Sequence, residues 1–132
     1  MKKVYYDLWQ MECCGVPFKI GDTVFWYVIN GKGIKPTIDI DEMDYYYEAH
    51  SDSDDDNDLL ILKGIIKDIS ICYNKYDLVK GEHHNMLVPV KGTTKLIKTD
   101  NSEVKDEYLD GLRASGYIID LEEINVRPAK EE

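Results

Sequence analysis

The sequence predicts a mainly β domain, a small antiparallel barrel or curved sheet with one short helix near residues 103–114. Three observations carry this. Thr23 to Ile29 runs seven β-branched or aromatic residues without a break. Leu59 to Tyr76 carries a long β pattern interrupted by Gly64, as a bulge or bend in a curved strand would be. Glycine turns recur along the chain, whereas helical periodicity is confined to one or two short stretches.

Taken in order, Val4 to Gln10 is aromatic or aliphatic apart from Asp7, its one internal charge, and the terminal Gln10, and suits a first strand. Pro17 lacks the N–H that a ladder needs, so Cys14 to Phe18 is expected to bend. Gly21-Asp22 turns into the strand from Thr23, which its continuous apolar character marks as covered on both faces. Ile34 to Ile40 contains Pro36 and can be at most an edge strand. Asp41 to His50 fits a short helix with Asp41 as its cap, although Tyr45-Tyr46-Tyr47 would also suit a strand. Ser51 to Asp58 has no apolar residue and five aspartates and reads as a solvated loop. Gly81 to Asn85 is loop, Met86 to Val90 a short apolar run, and Thr94 to Thr99 an alternating strand. Val104, Tyr108, Leu109 and Leu112 fall on one side of a helix, capped by Asn101 or Ser102 and weakened at Gly111. Tyr117 to Leu121 makes a final strand. About seven strands of this kind, one of them glycine-bent, have the shape of an SH3-like or OB-like barrel. The domain is expected to span residues 1–126, with 127–132 a frayed acidic tail.

Composition narrows the function classes. A chain of 132 residues supports one domain with its own core. Its 26 acidic against 16 basic residues give a net charge of -10, which argues against nucleic-acid binding and favours a basic protein partner. The N-terminus has two lysines but then Tyr5, Tyr6 and Asp7 in place of an apolar run, so neither a signal peptide nor a membrane span is expected. Three cysteines, two of them adjacent, do not make a disulfide framework. A cytoplasmic protein is the expectation.

The densest chemistry lies between Trp9 and Trp26, which holds both tryptophans, both phenylalanines and the adjacent Cys13 and Cys14. The residues Trp9-Gln10-Met11, Cys13-Cys14-Gly15, Pro17-Phe18, Gly21-Asp22, Val24 and Trp26 resemble the opening of a family of small bacterial proteins of unknown function, Trp-Gln-Met-x-Cys-Cys-Gly-x-Pro-Phe followed by Gly-x-x-Val-x-Trp. Glu48-Ala49-His50, Gly64-Ile65-Ile66 and Gly116 to Leu121 extend the resemblance over most of the chain. The family is richer in histidine after the Glu-x-His piece, whereas His50 here precedes Ser51 and the aspartates. The resemblance implies a single-domain bacterial protein and no particular activity.

Two sets of candidate residues follow. Trp9, Trp26, Tyr45, Tyr46 and Tyr47 are candidates for a contact surface, because three consecutive tyrosines on a strand cannot all face inward. Cys13 and Cys14 with His50 are candidates for a soft-metal site, zinc being the usual ion for thiolate and imidazole, or for a redox-active thiol pair. Adjacent residues on a strand point to opposite faces, so the plainer expectation puts one thiol in the core and the other in a turn. His83-His84 reads as a solvated turn. The aspartate run misses the calcium-loop pattern, since counting from Asp52 or Asp54 puts no glycine at the sixth position and no glutamate at the twelfth. No nucleophile, acid and base set has recognisable spacing, so a non-enzymatic binding or interaction module is the leading expectation. An acidic immunity-type partner of a basic protein is one such module, and a metal or thiol protein is the alternative.

Overall fold

A computed structural model describes residues 1–48 and 59–129. The expected acidic loop, Ala49, His50 and the last three residues lie outside the described residues. The described chain is mainly β: β1 (Lys2–Asp7), α1 (Leu8–Cys14), β2 (Thr23–Asn30), β3 (Tyr45–Tyr47), β4 (Leu59–Asn74), β5 (Tyr76–Lys80), β6 (Asn85–Pro89), β7 (Lys95–Thr99), β8 (Tyr108–Leu109) and β9 (Leu112–Pro128).

Five strands pair in a circuit. β4 pairs with β2 and β9, β9 with β1, β1 with β3, and β3 with β2. All of these pairings are antiparallel except β1 with β3, which is parallel. The sheet therefore curls on itself around the core of Val4, Tyr6, Trp26, Val28, Leu62, Ile66, Ile119 and Leu121. Both long strands serve the circuit over their whole length, and their ladder shifts register at Lys63/Gly64, Ile66/Asp68 and Cys72/Tyr73. Each shift adds local twist, which bends β4 and β9 enough to close the sheet. β7 and β8 extend it at either side, while β5 and β6 form a separate two-stranded hairpin.

Several expectations are corrected. The one described α-helix is α1, whereas residues 103–114 enclose the β8–β9 hairpin: Asp110 and Gly111 take positive φ, 51° and 80°, between Leu109 and Leu112, which pair. An Asp-Gly pair between paired strands is a hairpin turn, and that chemistry outweighs the helical spacing of Val104, Tyr108 and Leu112. Asp41 to Glu48 contains β3 in place of a helix, because Tyr45 to Tyr47 has ladder partners on both sides. Ile34 to Ile40 adds no strand. β2 is covered on one face only: Trp26 and Val28 are buried, but Phe25 and Tyr27 remain 65% and 45% exposed. The first strand ends at Asp7, since Leu8, Gln10, Met11 and Glu12 are good helix formers and Leu8 and Met11, three apart, both turn toward the core. β9 runs to Pro128, through the first residues of the expected tail.

Candidate functional site

The site is built where α1 meets the open end of the strand circuit. Gly15 N–H donates to the Met11 carbonyl at 3.1 Å and closes the last helical turn. A Cβ at Gly15 would lie 2.7 Å from the Tyr6 hydroxyl and from Met11 Cα, so only glycine lets the chain leave the helix so close to β1. The chain then passes Val16 and Pro17, and Phe18 is pinned to the loop before β8. Phe18 N–H donates to Ser102 Oγ at 3.0 Å, and Ser102 N–H donates to the Phe18 carbonyl at 2.8 Å. Gly21 N–H and Ile66 N–H each donate across to β4 and Asp22 respectively, which sets the entry into β2.

These bonds hold Phe18 against an aromatic cluster. Tyr6 and Tyr47 stack with centroids 3.8 Å apart and planes at 11°, and Trp26 meets Phe18 edge-on at 5.3 Å and Tyr47 at 5.9 Å. Tyr117 packs on Phe18 at 5.4 Å, and its hydroxyl donates to the Ser102 carbonyl at 2.6 Å. A recess of about 370 Å³ opens on this cluster, walled by Tyr6, Phe18, Phe25, Trp26 and Tyr47, with Cys14 on its rim. On the other side of Pro17 and Phe18 lies a second recess of about 510 Å³, between Met11 and Ser102.

Burial and pairing shift three titratable groups at or beside the first recess. Burial, followed by the hydrogen bond with Tyr47, raises Tyr6 well above the usual phenol range, and burial, then the charge of Glu12, pushes Tyr117 up to about 12. Asp22 is held below the usual carboxylate range by its bonds from Lys19, whose Nζ lies 2.7 Å away. Neutral phenols and a paired carboxylate suit packing and recognition.

The sequence-predicted residues divide among different places. Trp26 and Tyr47 meet at the recess. Tyr45 is buried on the same face of β3 but farther along, and its hydroxyl donates to Glu123 Oε1 at 2.7 Å. Tyr46 points to the opposite face, where it tilts against Tyr5 at 6.1 Å in a smaller cluster with Met43 and Ile118. Trp9 is 56% exposed on the outside of α1. Tyr6, Phe18 and Phe25 complete the recess, with Tyr117 packed against Phe18, and none of the four is among the sequence-predicted site residues. The signal for Tyr6 was present, since Val4, Tyr6 and Leu8 alternate as inward positions should.

Cys13 and Cys14 lie on the last turn of α1, where successive side chains are about 100° apart and not on opposite faces. Both are exposed and their sulfurs are bonded to each other, so the expected division into a core thiol and a turn thiol is overturned. His50 lies outside the described residues. Among the described residues no group of three or more His, Cys, Asp or Glu side chains is placed to hold a metal ion. Cys72 is a buried thiol on β4 that burial pushes up to about 12.

A second cavity system lies on the outer face, where a space of about 650 Å³ is roofed by the chain between β2 and β3 and floored by the ion pairs Lys3–Asp120 and Lys98–Asp68. Its charges compensate one another.

A curled sheet with a helix-flanked aromatic recess, and Cys14 of a bonded cysteine pair on its rim, defines the class: a small β-barrel-like domain. The chain belongs to a family of unknown function, DUF6578, whose model matches residues 1–123. No curated protein and no solved structure matches it. No described helix is long and apolar enough to cross a membrane.

Proposed function

We propose that the protein is a non-enzymatic binding module of the cytoplasm that receives an apolar side chain of a basic protein partner in the recess beside α1. The observation that carries the reading is the recess itself, a concave aromatic surface of Tyr6, Phe18, Trp26 and Tyr47 left open on one side. Aromatic walls of this kind supply rigid contact area at small entropic cost. The net charge of -10 supports a basic partner, because long-range attraction speeds the encounter while the recess supplies the specific contact. An immunity-type protein that neutralises a basic toxin would have this design.

Capture from a cell lysate at low salt tests it. Wild-type protein is expected to retain a basic protein that elutes as salt is raised. Val16→Glu, at a rim position 78% exposed, is expected to lose that partner while keeping its fold. Retention of no basic protein at low salt, or equal capture by Val16→Glu, would count against the reading.

A further inference from the structure

We infer that Cys13 and Cys14 form a reversible dithiol–disulfide site, oxidised by low-molecular-weight disulfides, that reshapes the rim of the recess. Three observations converge on it. The two sulfurs are bonded to each other although their residues are adjacent. Both residues are exposed on the last turn of α1, so an external disulfide reaches them. Cys14 also lines the recess, one residue before the glycine clamped between Met11 and Tyr6.

The remaining cysteine does not compete. Cys72 has no exposure, and burial keeps it protonated to about 12, so it is neither reached nor ionised in the folded protein. Glu12 adjoins the pair, and the end of a helix carries partial negative charge, so the surroundings do not favour a standing thiolate. That suits slow exchange with a solute better than nucleophilic catalysis. An exposed disulfide in a reducing compartment is typically transient or redox-sensing.

The exchange balances as a two-electron transfer. One protein thiolate attacks a sulfur of glutathione disulfide, forming a mixed disulfide and expelling one glutathione thiolate. The neighbouring protein thiolate then attacks the protein-side sulfur, closing the ring and expelling the second glutathione. The protein loses two protons and two electrons, and one glutathione disulfide becomes two glutathione molecules.

The test treats reduced, folded protein with glutathione disulfide and follows intact mass, thiol count and peptide maps. The expected product is monomeric, lighter by two hydrogen atoms, without bound glutathione, and with the Cys13–Cys14 peptide cross-linked internally. Cys14→Ser is expected to stop at the mixed disulfide and retain one glutathione, while Cys72→Ala behaves as wild type. Wild-type protein that keeps glutathione, fails to react, or cross-links to a second chain overturns the proposal. In a Trp9→Phe background, Trp26 alone reports on the recess, and its emission is expected to differ between the two redox states. Unchanged emission overturns the link to the rim. None of these readouts depends on a partner, so they remain informative if the recess binds no basic protein.

Discussion

At the scale of single residues, Gly64 sets the curvature on which the fold depends. A Cβ there would lie 2.3 Å from Leu121 Cδ2 and 2.8 Å from the Glu122 carbonyl, at one of the register shifts between β4 and β9. Gly64→Ala must push the two strands apart, and a loss of about 1–3 kcal/mol in urea denaturation is expected. A midpoint equal to wild type would show that the strands are not in contact there. Cys72, Tyr45 and Tyr117 make a second residue-scale prediction. Burial raises all three to about 12 from ordinary values of 9.0 for the thiol and 10.0 for the phenols. Each group thus binds its proton more tightly folded than unfolded, so its contribution to stability is complete below the ordinary value and is lost as pH rises toward 12. Urea midpoints should hold near neutrality, begin to fall above about pH 9, and fall more steeply above about pH 10. Cys72→Ala should remove the earlier part of the decline.

At the scale of elements, the two hairpins differ in what they hold. The β8–β9 turn depends on Gly111 at φ 80°, a conformation that an L side chain rarely adopts. Gly111→Ala is expected to cost more than about 1 kcal/mol, and a thermal midpoint unchanged from wild type would contradict the turn. The β5–β6 hairpin shares no ladder with the main sheet and carries Leu78, Val79, Met86 and Leu87 largely exposed. Replacing residues 76–89 with a short glycine-serine turn should leave the far-ultraviolet dichroism and the Trp26 environment of the curled sheet intact. Loss of cooperative unfolding in that variant would show that the hairpin is part of the core. The elements also show where local sequence speaks clearly. β2 was legible because its β-branched and aromatic residues run without a break, and β4 because its apolar, isoleucine-rich pattern extends on both sides of the bend at Gly64. α1 was not, because Val4 to Gln10 carries strand-forming aromatics and good helix formers side by side, and the choice falls to Leu8 and Met11 finding the core. The 103–114 region misled in the opposite sense, through chance helical spacing around an Asp-Gly turn.

For the whole molecule, the net charge of -10 should act on stability as well as on encounter. Self-repulsion in a compact acidic chain is screened by salt, so the thermal midpoint is expected to rise from a few millimolar to about 0.15 M sodium chloride, where the screening length is about 8 Å. A falling midpoint would mean that ion pairs such as Lys3–Asp120 and Lys67–Glu122 outweigh the repulsion. The sequence by itself determined the β class, the glycine-bent long strand, the acidic character and the concentration of aromatics and thiols between Trp9 and Trp26, because composition, alternation and turn chemistry are local properties. Only the tertiary structure decided that Trp26 and Tyr47 share a recess with Tyr6 and Phe18, that Tyr46 faces away from them, and that Cys13 and Cys14 meet on one helical turn. Those outcomes depend on register between strands far apart in the chain and on which residues of the first segment reach the core, and neither is written in any local pattern.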